Sequence, residues 1–295
     1  MSFVEEANIA YAVVFGCVLA LGLPLNAVSL WILIRHHRLK SPSAVFMINL
    51  ALSDLLLVLS LPMRVYFHAT QTWPLGVQAC VWITMLFNNN IRASVLFITF
   101  IGVDRLLAVV FPLRSRHLRT TTNTWRACGL IWISLLVVNI PESVGLSRIM
   151  QHCNVTICFH FEGFPCFTSM VHPSVKYMQS CFVFTLLAVN CISTSMVSWK
   201  LRSHLSDSVK VNKINVMLIF ALNLLMFVIF FLPVSLVLAV EDWSVAIKPT
   251  VCLASMNCCF DPLVYYFSLD SFRKKRDDES YPRTQPVMIR EIELH

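Results

Sequence analysis

The sequence predicts an all-α integral membrane protein, a bundle of seven transmembrane helices followed by a short amphipathic eighth helix. Three observations carry that expectation. Seven apolar stretches are each long enough to cross about 30 Å of hydrocarbon, which takes about 20 helical residues. Hydrophobic residues make up 57% of the chain and charged residues 13%, with a mean hydropathy of +0.70; soluble domains carry about 25% charged residues. Finally, the basic residues gather in alternate connections. Together these exclude a water-soluble enzyme, a disordered chain and a collagen-like fibre. Strict alternation does not persist, and seven glycines leave few residues for the turns of a β-barrel.

The first stretch, Ile9–Ile34, has no charged residue and reads as an uncleaved anchor. The second, Val45–Phe67, carries Asp54 and, just past Pro62, Arg64. The third, Cys80–Val110, is longer than a bilayer requires and should tilt. It holds Asn88, Asn90, Arg92 and Ser94 and has Asp104 and Arg105 near its end. Trp125–Val144, Val175–Trp199 and Ile214–Val240 follow, and the seventh, Ala246–Phe267, holds Asn257, Asp261 and Tyr265. Beyond it, Ser268–Arg276 can lie on the inner leaflet with Phe272 inserted and its basic residues near lipid phosphates. Residues 1–276 thus form the membrane domain and 277–295 a polar cytoplasmic tail.

Cytoplasmic loops carry the excess of Lys and Arg. The first connection has Arg35, Arg38 and Lys40; the third has Arg114, Arg116, Arg119 and Arg126; the fifth has Lys200, Arg202, Lys210 and Lys213. The tail adds a further cluster from Arg273 to Arg290, which puts the N-terminus outside and the C-terminus inside. The formal charge of +7 therefore reads as orientation in a membrane rather than as nucleic-acid binding. Asn154-Val155-Thr156, a glycosylation acceptor, falls in an outer loop and agrees with that orientation. The same loop contains Cys153, Cys158 and Cys166, and Cys80 starts the third span on the same face, so an oxidising exterior permits a disulfide among them. No paired Cys-x-x-Cys motif supports zinc.

Ionisable groups are costly in hydrocarbon and mark function there. Asp54 and Asp261 lie mid-span, with Asn90, Ser94 and Asn257 at similar depth. Asn90 and Ser94 share a helix face, as do Asn257 and Asp261. This oxygen-rich cluster suits a hard monovalent cation such as sodium; the other reading is a hydrogen-bond network that glues helices together. Neither is catalytic, and no nucleophile motif or phosphate loop is present.

Set in order along the chain, Gly22-Leu-Pro-Leu-Asn26, Asn49-Leu-Ala-Leu-Ser-Asp54, Trp73-Pro-Leu-Gly76, Cys80, Asp104-Arg105, Trp132, Phe227 with Phe231-Leu-Pro233, and Asp261-Pro-Leu-Val-Tyr265 resemble the rhodopsin-like G-protein-coupled receptors over about residues 8 to 276. Ser60-Leu-Pro-Met-Arg64 and Asn257-Cys-Cys-Phe-Asp-Pro-Leu-Val-Tyr-Tyr-Phe267 are similar to the branch holding nucleotide receptors and the non-Edg lysophosphatidic acid receptors.

That resemblance implies a disulfide between Cys80 and Cys158. It implies a switch in which Asp104 holds Arg105 until the sixth helix swings out, with Pro233 supplying the bend and Tyr265 turning inward. Pro112 and Leu113 would meet a heterotrimeric G protein, with arrestin a further partner at the plasma membrane. Sodium would act as an allosteric modulator, with no other cofactor. Leu106, a fifth span without proline, and Lys213 depart from the family pattern and bear on signalling strength.

The outer basic residues point to an anionic ligand. Arg92 lies about 18 Å below Cys80 along the third helix, Arg64 is on the second span, and Lys176 and Lys248 head the fifth and seventh. With Asn88 and His68, these form the candidate ligand site; for Arg92 the alternative is a buried pair with a carboxylate or carbonyl, and for the lysines snorkelling. Val234–Val240 carries no base and is followed by Glu241 and Asp242, which disfavours a polyanionic nucleotide. A single headgroup with an apolar tail, as in lysophosphatidic acid, fits better. The rival readings are a nucleotide or other small-anion receptor, a receptor-like protein that couples weakly, and an ion-coupled transporter; no internal repeat supports the last.

Overall fold

The computed structural model describes residues 3–37, 41–153, 158–159, 173–203, 210–239, 246–263 and 265–266. Asn154, Cys166, His172, Glu241, Asp242 and the expected eighth helix from Ser268 lie outside them. The described chain is helical, with α1 Phe3–His37, α2 Pro42–Thr70, α3 Gly76–Val110, α4 Thr121–His152 and α5 Pro173–Ser203. The sixth span, α6, comprises Lys210–Met226, a π-helical turn Phe227–Phe231, and Leu232–Ala239. The seventh, α7, begins as Ile247–Ser255, turns at Met256 and resumes over 257–263. Among the described residues, six helices are long and apolar enough to cross a membrane, and the turn in α7 is what shortens the seventh.

α1, α2, α4 and α5 run past their apolar stretches at both ends because hydropathy registers the lipid-facing part while backbone signals set the termini. Thr120 caps α4 by accepting from the Asn123 amide (3.2 Å). Pro42 opens α2, where its missing donor costs nothing, and Gln71 closes it in a left-handed conformation, its amide bonded to Phe67 O at 2.7 Å. Pro24, Pro62 and Pro141 sit inside helices; neighbouring spans make such breaks tolerable in a membrane bundle.

Packing closes a ring. α2 lies between α1 and α3, α3 packs on α4 and α5, α5 on α6, α6 on α7, and α7 returns to α1. α2 is the most enclosed span, whereas α1 and α4 expose apolar side chains such as Val13, Leu130 and Val137 to lipid. The central core holds Leu57, Phe87, Phe97, Ile98, Phe227 and Phe231. Gly22 permits close approach of α1 and α7, since a Cβ there would meet Cys258 Sγ at 3.0 Å. Asn26 exploits that proximity and donates to Cys258 O at 2.7 Å. Trp132 anchors α4 to α2 by donating to Asn49 Oδ1 at 2.9 Å.

The bend expected at Pro233 takes a specific form. A proline ring clashes with the carbonyl four residues earlier, and the preceding π-turn shifts that register: the Leu232 amide reaches Phe227 O, five residues back. α6 therefore carries a π-helical irregularity in the turn that leads into the proline.

Candidate functional site

At the outer end, the bonded pair Cys80–Cys158 pins the second outer loop to the start of α3. The next residue, Phe159, has φ 60°, a left-handed conformation unusual for a bulky side chain. That geometry lays its ring against Phe67 (5.6 Å) and Trp73 (5.5 Å) and beneath the Arg64 guanidinium. Arg64 is buried, 3.9 Å from the Phe87 ring centroid, 4.2 Å from Phe159 and 6.0 Å from Phe15. Three rings thus cage one cation. Its Nε has no hydrogen-bond partner, and neither ion pair among the described residues includes it.

His68, one turn above, stacks on Phe15 (5.6 Å), touches Tyr11 and Phe67, and has Nδ1 3.4 Å from Asn8 Oδ1. Asn88 and Lys248 are half-buried. For Lys176 the structure describes the helix but not the side chain.

Arg92, expected to offer its charge to a ligand, is paired within the protein. Arg92 Nη1 and Nη2 donate to Glu142 at 2.7 and 2.6 Å, Nη1 to Asn139 at 2.9 Å, and Nε to Gln179 at 3.0 Å. Asn139 in turn donates to Asn89 at 2.7 Å. A planar guanidinium matched to a carboxylate fork is already neutralised. The alternative reading of Arg92, a buried pair, is the one the geometry adopts, and it ties α3 to α4 and α5.

At mid-depth the four-residue spacings do bring the polar groups together. Asn90 donates to Asp54 Oδ1 at 3.0 Å and to Ser53 Oγ at 3.3 Å; Asn257 donates to Asp261 Oδ2 at 2.6 Å. The Asp54 and Asp261 carboxyl groups are close enough to interact electrostatically. Asp54 Oδ2, Asp261 Oδ1, Asn257 Oδ1 and Ser94 Oγ are buried with no hydrogen-bond partner. Like charges in a dry interior repel, so unpartnered oxygens of this kind favour a compensating positive charge nearby. The network and the ion-site readings are therefore compatible.

At the inner end, Asp104 is gripped by Arg119 of the second inner loop, Nε to Oδ1 at 2.8 Å and Nη2 to Oδ2 at 3.3 Å, and Ser43 of α2 donates to the same carboxylate. Arg105 lies within electrostatic reach of both Asp104 and Arg119. Tyr265 is buried beside the mid-depth cluster with its hydroxyl unpartnered. Phe227 and Phe231 pack edge to face at 5.8 Å, and Leu113 stands 85% exposed in the loop that follows α3. Sequence reasoning missed Phe15, Phe87, Phe159, Glu142, Ser43 and the pairing role of Arg119. Phe15 and Phe87 gave no signal, being indistinguishable from core in an apolar span. Glu142, an acid just after Pro141 in the fourth span, was legible as an intramembrane charge.

Comparison with known proteins agrees with this architecture. Residues 25–265 match the family model described as 7 transmembrane receptor (rhodopsin family). The chain is 34% identical to lysophosphatidic acid receptor 6 of Mus musculus over 89% of this chain and 81% of that protein. Identity is 33% to lysophosphatidic acid receptor 4 of Homo sapiens, covering 95% and 80%, and 29% to a purinoceptor of Gallus gallus, covering 92% and 80%. With seven spans in one ring, buried acids at mid-depth and a family match across most of its length, the chain belongs to the rhodopsin family of seven-transmembrane receptors.

Proposed function

We propose that this receptor binds an anionic lysophospholipid, such as lysophosphatidic acid, through Arg64 and transmits that contact to a heterotrimeric G protein. Its N-terminus lies outside the plasma membrane and its tail in the cytoplasm; the same inner face would receive arrestin. The observation that carries the ligand reading is Arg64 itself, a buried guanidinium held by aromatic faces without a carboxylate partner among the described residues. A buried unpaired cation is costly, and an incoming phosphate supplies the missing charge with bidentate geometry.

The relatives' names, lysophosphatidic acid receptors 4 and 6, support the same headgroup. The purinoceptor relative keeps a nucleotide reading in view. Against it, the outer part of α6, Leu232–Ala239, carries no basic residue, so a polyphosphate would meet an apolar wall that suits a hydrocarbon chain. In cells expressing the chain, lysophosphatidic acid is expected to stimulate nucleotide exchange and ATP or UDP is not. A response to nucleotides without one to lysolipids would overturn the ligand assignment.

Asp54, Asp261, Asn257 and Ser94 are the residues that would hold sodium between α2, α3 and α7. Such an ion supplies the positive charge that two facing carboxyl groups lack. Linkage then makes sodium and ligand affinity interdependent. Replacing sodium by N-methylglucamine is expected to change lysophosphatidic acid affinity about fivefold, and Asp54→Asn is expected to erase the difference. Sodium dependence that survives in Asp54→Asn would remove the ion from this cluster.

A further inference from the structure

The second inner loop is fastened to the base of α3 by side chains as well as by backbone. Buried Ser115 donates through Oγ to Leu107 O (3.0 Å) and through its amide to Phe111 O (2.9 Å). The Arg119 amide returns to Ser115 O at 2.9 Å. This winding delivers the Arg119 guanidinium to both oxygens of Asp104, a carboxylate 5% exposed that also accepts from Ser43. The crown of the same loop turns Leu113 and Leu118 to the cytoplasm.

A buried carboxylate needs a partner in every state that a switch visits. Arg105 is drawn to Asp104 and repelled by Arg119, both of which lie within its electrostatic reach. If Arg105 leaves to meet a G protein, Arg119 and Ser43 remain on Asp104 and the carboxylate is not stranded. We propose that Arg119 is the counter-ion that receives Asp104 in the signalling state, a positioning residue that makes release of Arg105 less costly while holding the loop that presents Leu113. Removing it leaves Arg105 as the cation for Asp104 and favours the resting state.

This inference rests on the G-protein reading above, and its test separates the two. Basal exchange is measured on purified, reconstituted receptor with heterotrimeric G proteins for Arg119→Gln, Asp104→Asn and the double variant, with surface expression as a control. Arg119→Gln is expected to lower basal exchange about threefold or more. Arg119→Lys, which keeps the charge but loses the fork, should fall between. In the Asp104→Asn background, Arg119→Gln should change exchange by less than about 1.5-fold. Independent effects of the two substitutions, or a rise in basal exchange with Arg119→Gln, overturn the proposal. Thermal unfolding of the wild type, the two single variants and the double variant in detergent reads the contact without a G protein: non-additive midpoints are expected, and additive ones overturn the pairing. A wild-type chain that drives no exchange defeats the G-protein reading and the proposed role with it, whereas additivity in an active receptor defeats the role alone.

Discussion

Replacing Arg64 with alanine is expected to weaken the response to lysophosphatidic acid about 100-fold or more while surface expression stays near that of the wild type. Truncating one partner of a desolvated, hydrogen-bonded charge pair costs about 2–5 kcal/mol, and the pair here would form only when the phosphate arrives. In the free receptor Arg64 has rings for neighbours, so its loss strands no carboxylate among the described residues. Stability loses some packing and is relieved of a buried charge, two effects of opposite sign. Arg64→Lys should be intermediate in potency, because an ammonium keeps the charge but cannot stack flat between Phe87 and Phe159. Concentration–response curves normalised to surface protein check this; unchanged potency in Arg64→Ala would move the headgroup elsewhere.

The second large effect concerns stability. Arg92→Ala leaves Glu142 without its cation at a helix interface, and Glu142→Ala leaves Arg92 without its carboxylate, so each is expected to destabilise the receptor by about 3 kcal/mol. The side chains are only 11% and 24% exposed, so water can do little to compensate the stranded charge. The double replacement Arg92→Leu with Glu142→Leu should recover most of the loss, since a well-packed apolar pair is as good as a buried ion pair. Ligand potency per receptor at the surface should change little in all three. Thermal midpoints of the purified proteins, set beside potency, decide the matter. A potency loss in Arg92→Ala at wild-type stability would return Arg92 to the ligand site.

How far the sequence reaches depends on which force is decisive. Burial in lipid is set by local apolar content, so the spans from Ile9 to Val240 were legible and the helices extend them rather than move them. The mid-depth cluster was legible because four-residue spacing fixes which residues share a face, and Asn90 and Asn257 do meet Asp54 and Asp261. The pairing of Cys80 with Cys158 came from resemblance, since several outer cysteines were open to it. Interhelical partners were not legible. A sequence shows that Arg92 and Arg64 are both basic and both outer, but the rotation of α3 against α4 decides that one meets Glu142 and the other meets rings. The break of α7 at Met256 escaped for a different reason: tight hydrogen bonds such as Met256 to Leu253 O (3.1 Å) and Cys259 to Met256 O (3.0 Å) leave no mark on hydropathy.

Arg119 shows the same limit from the cytoplasmic side. In sequence it is one of several loop arginines that predict orientation; in the fold its guanidinium reaches a buried acid.

The most direct measurement is a cryo-electron-microscopy map of the receptor in a lipid nanodisc with bound lysophosphatidic acid. The phosphate is predicted within hydrogen-bond distance of Arg64, between the Phe87 and Phe159 rings, with the acyl chain along the apolar outer part of α6 and the Arg92–Glu142 pair intact. A phosphate seated on Arg92 with Glu142 displaced, or density that leaves Arg64 untouched, would contradict it.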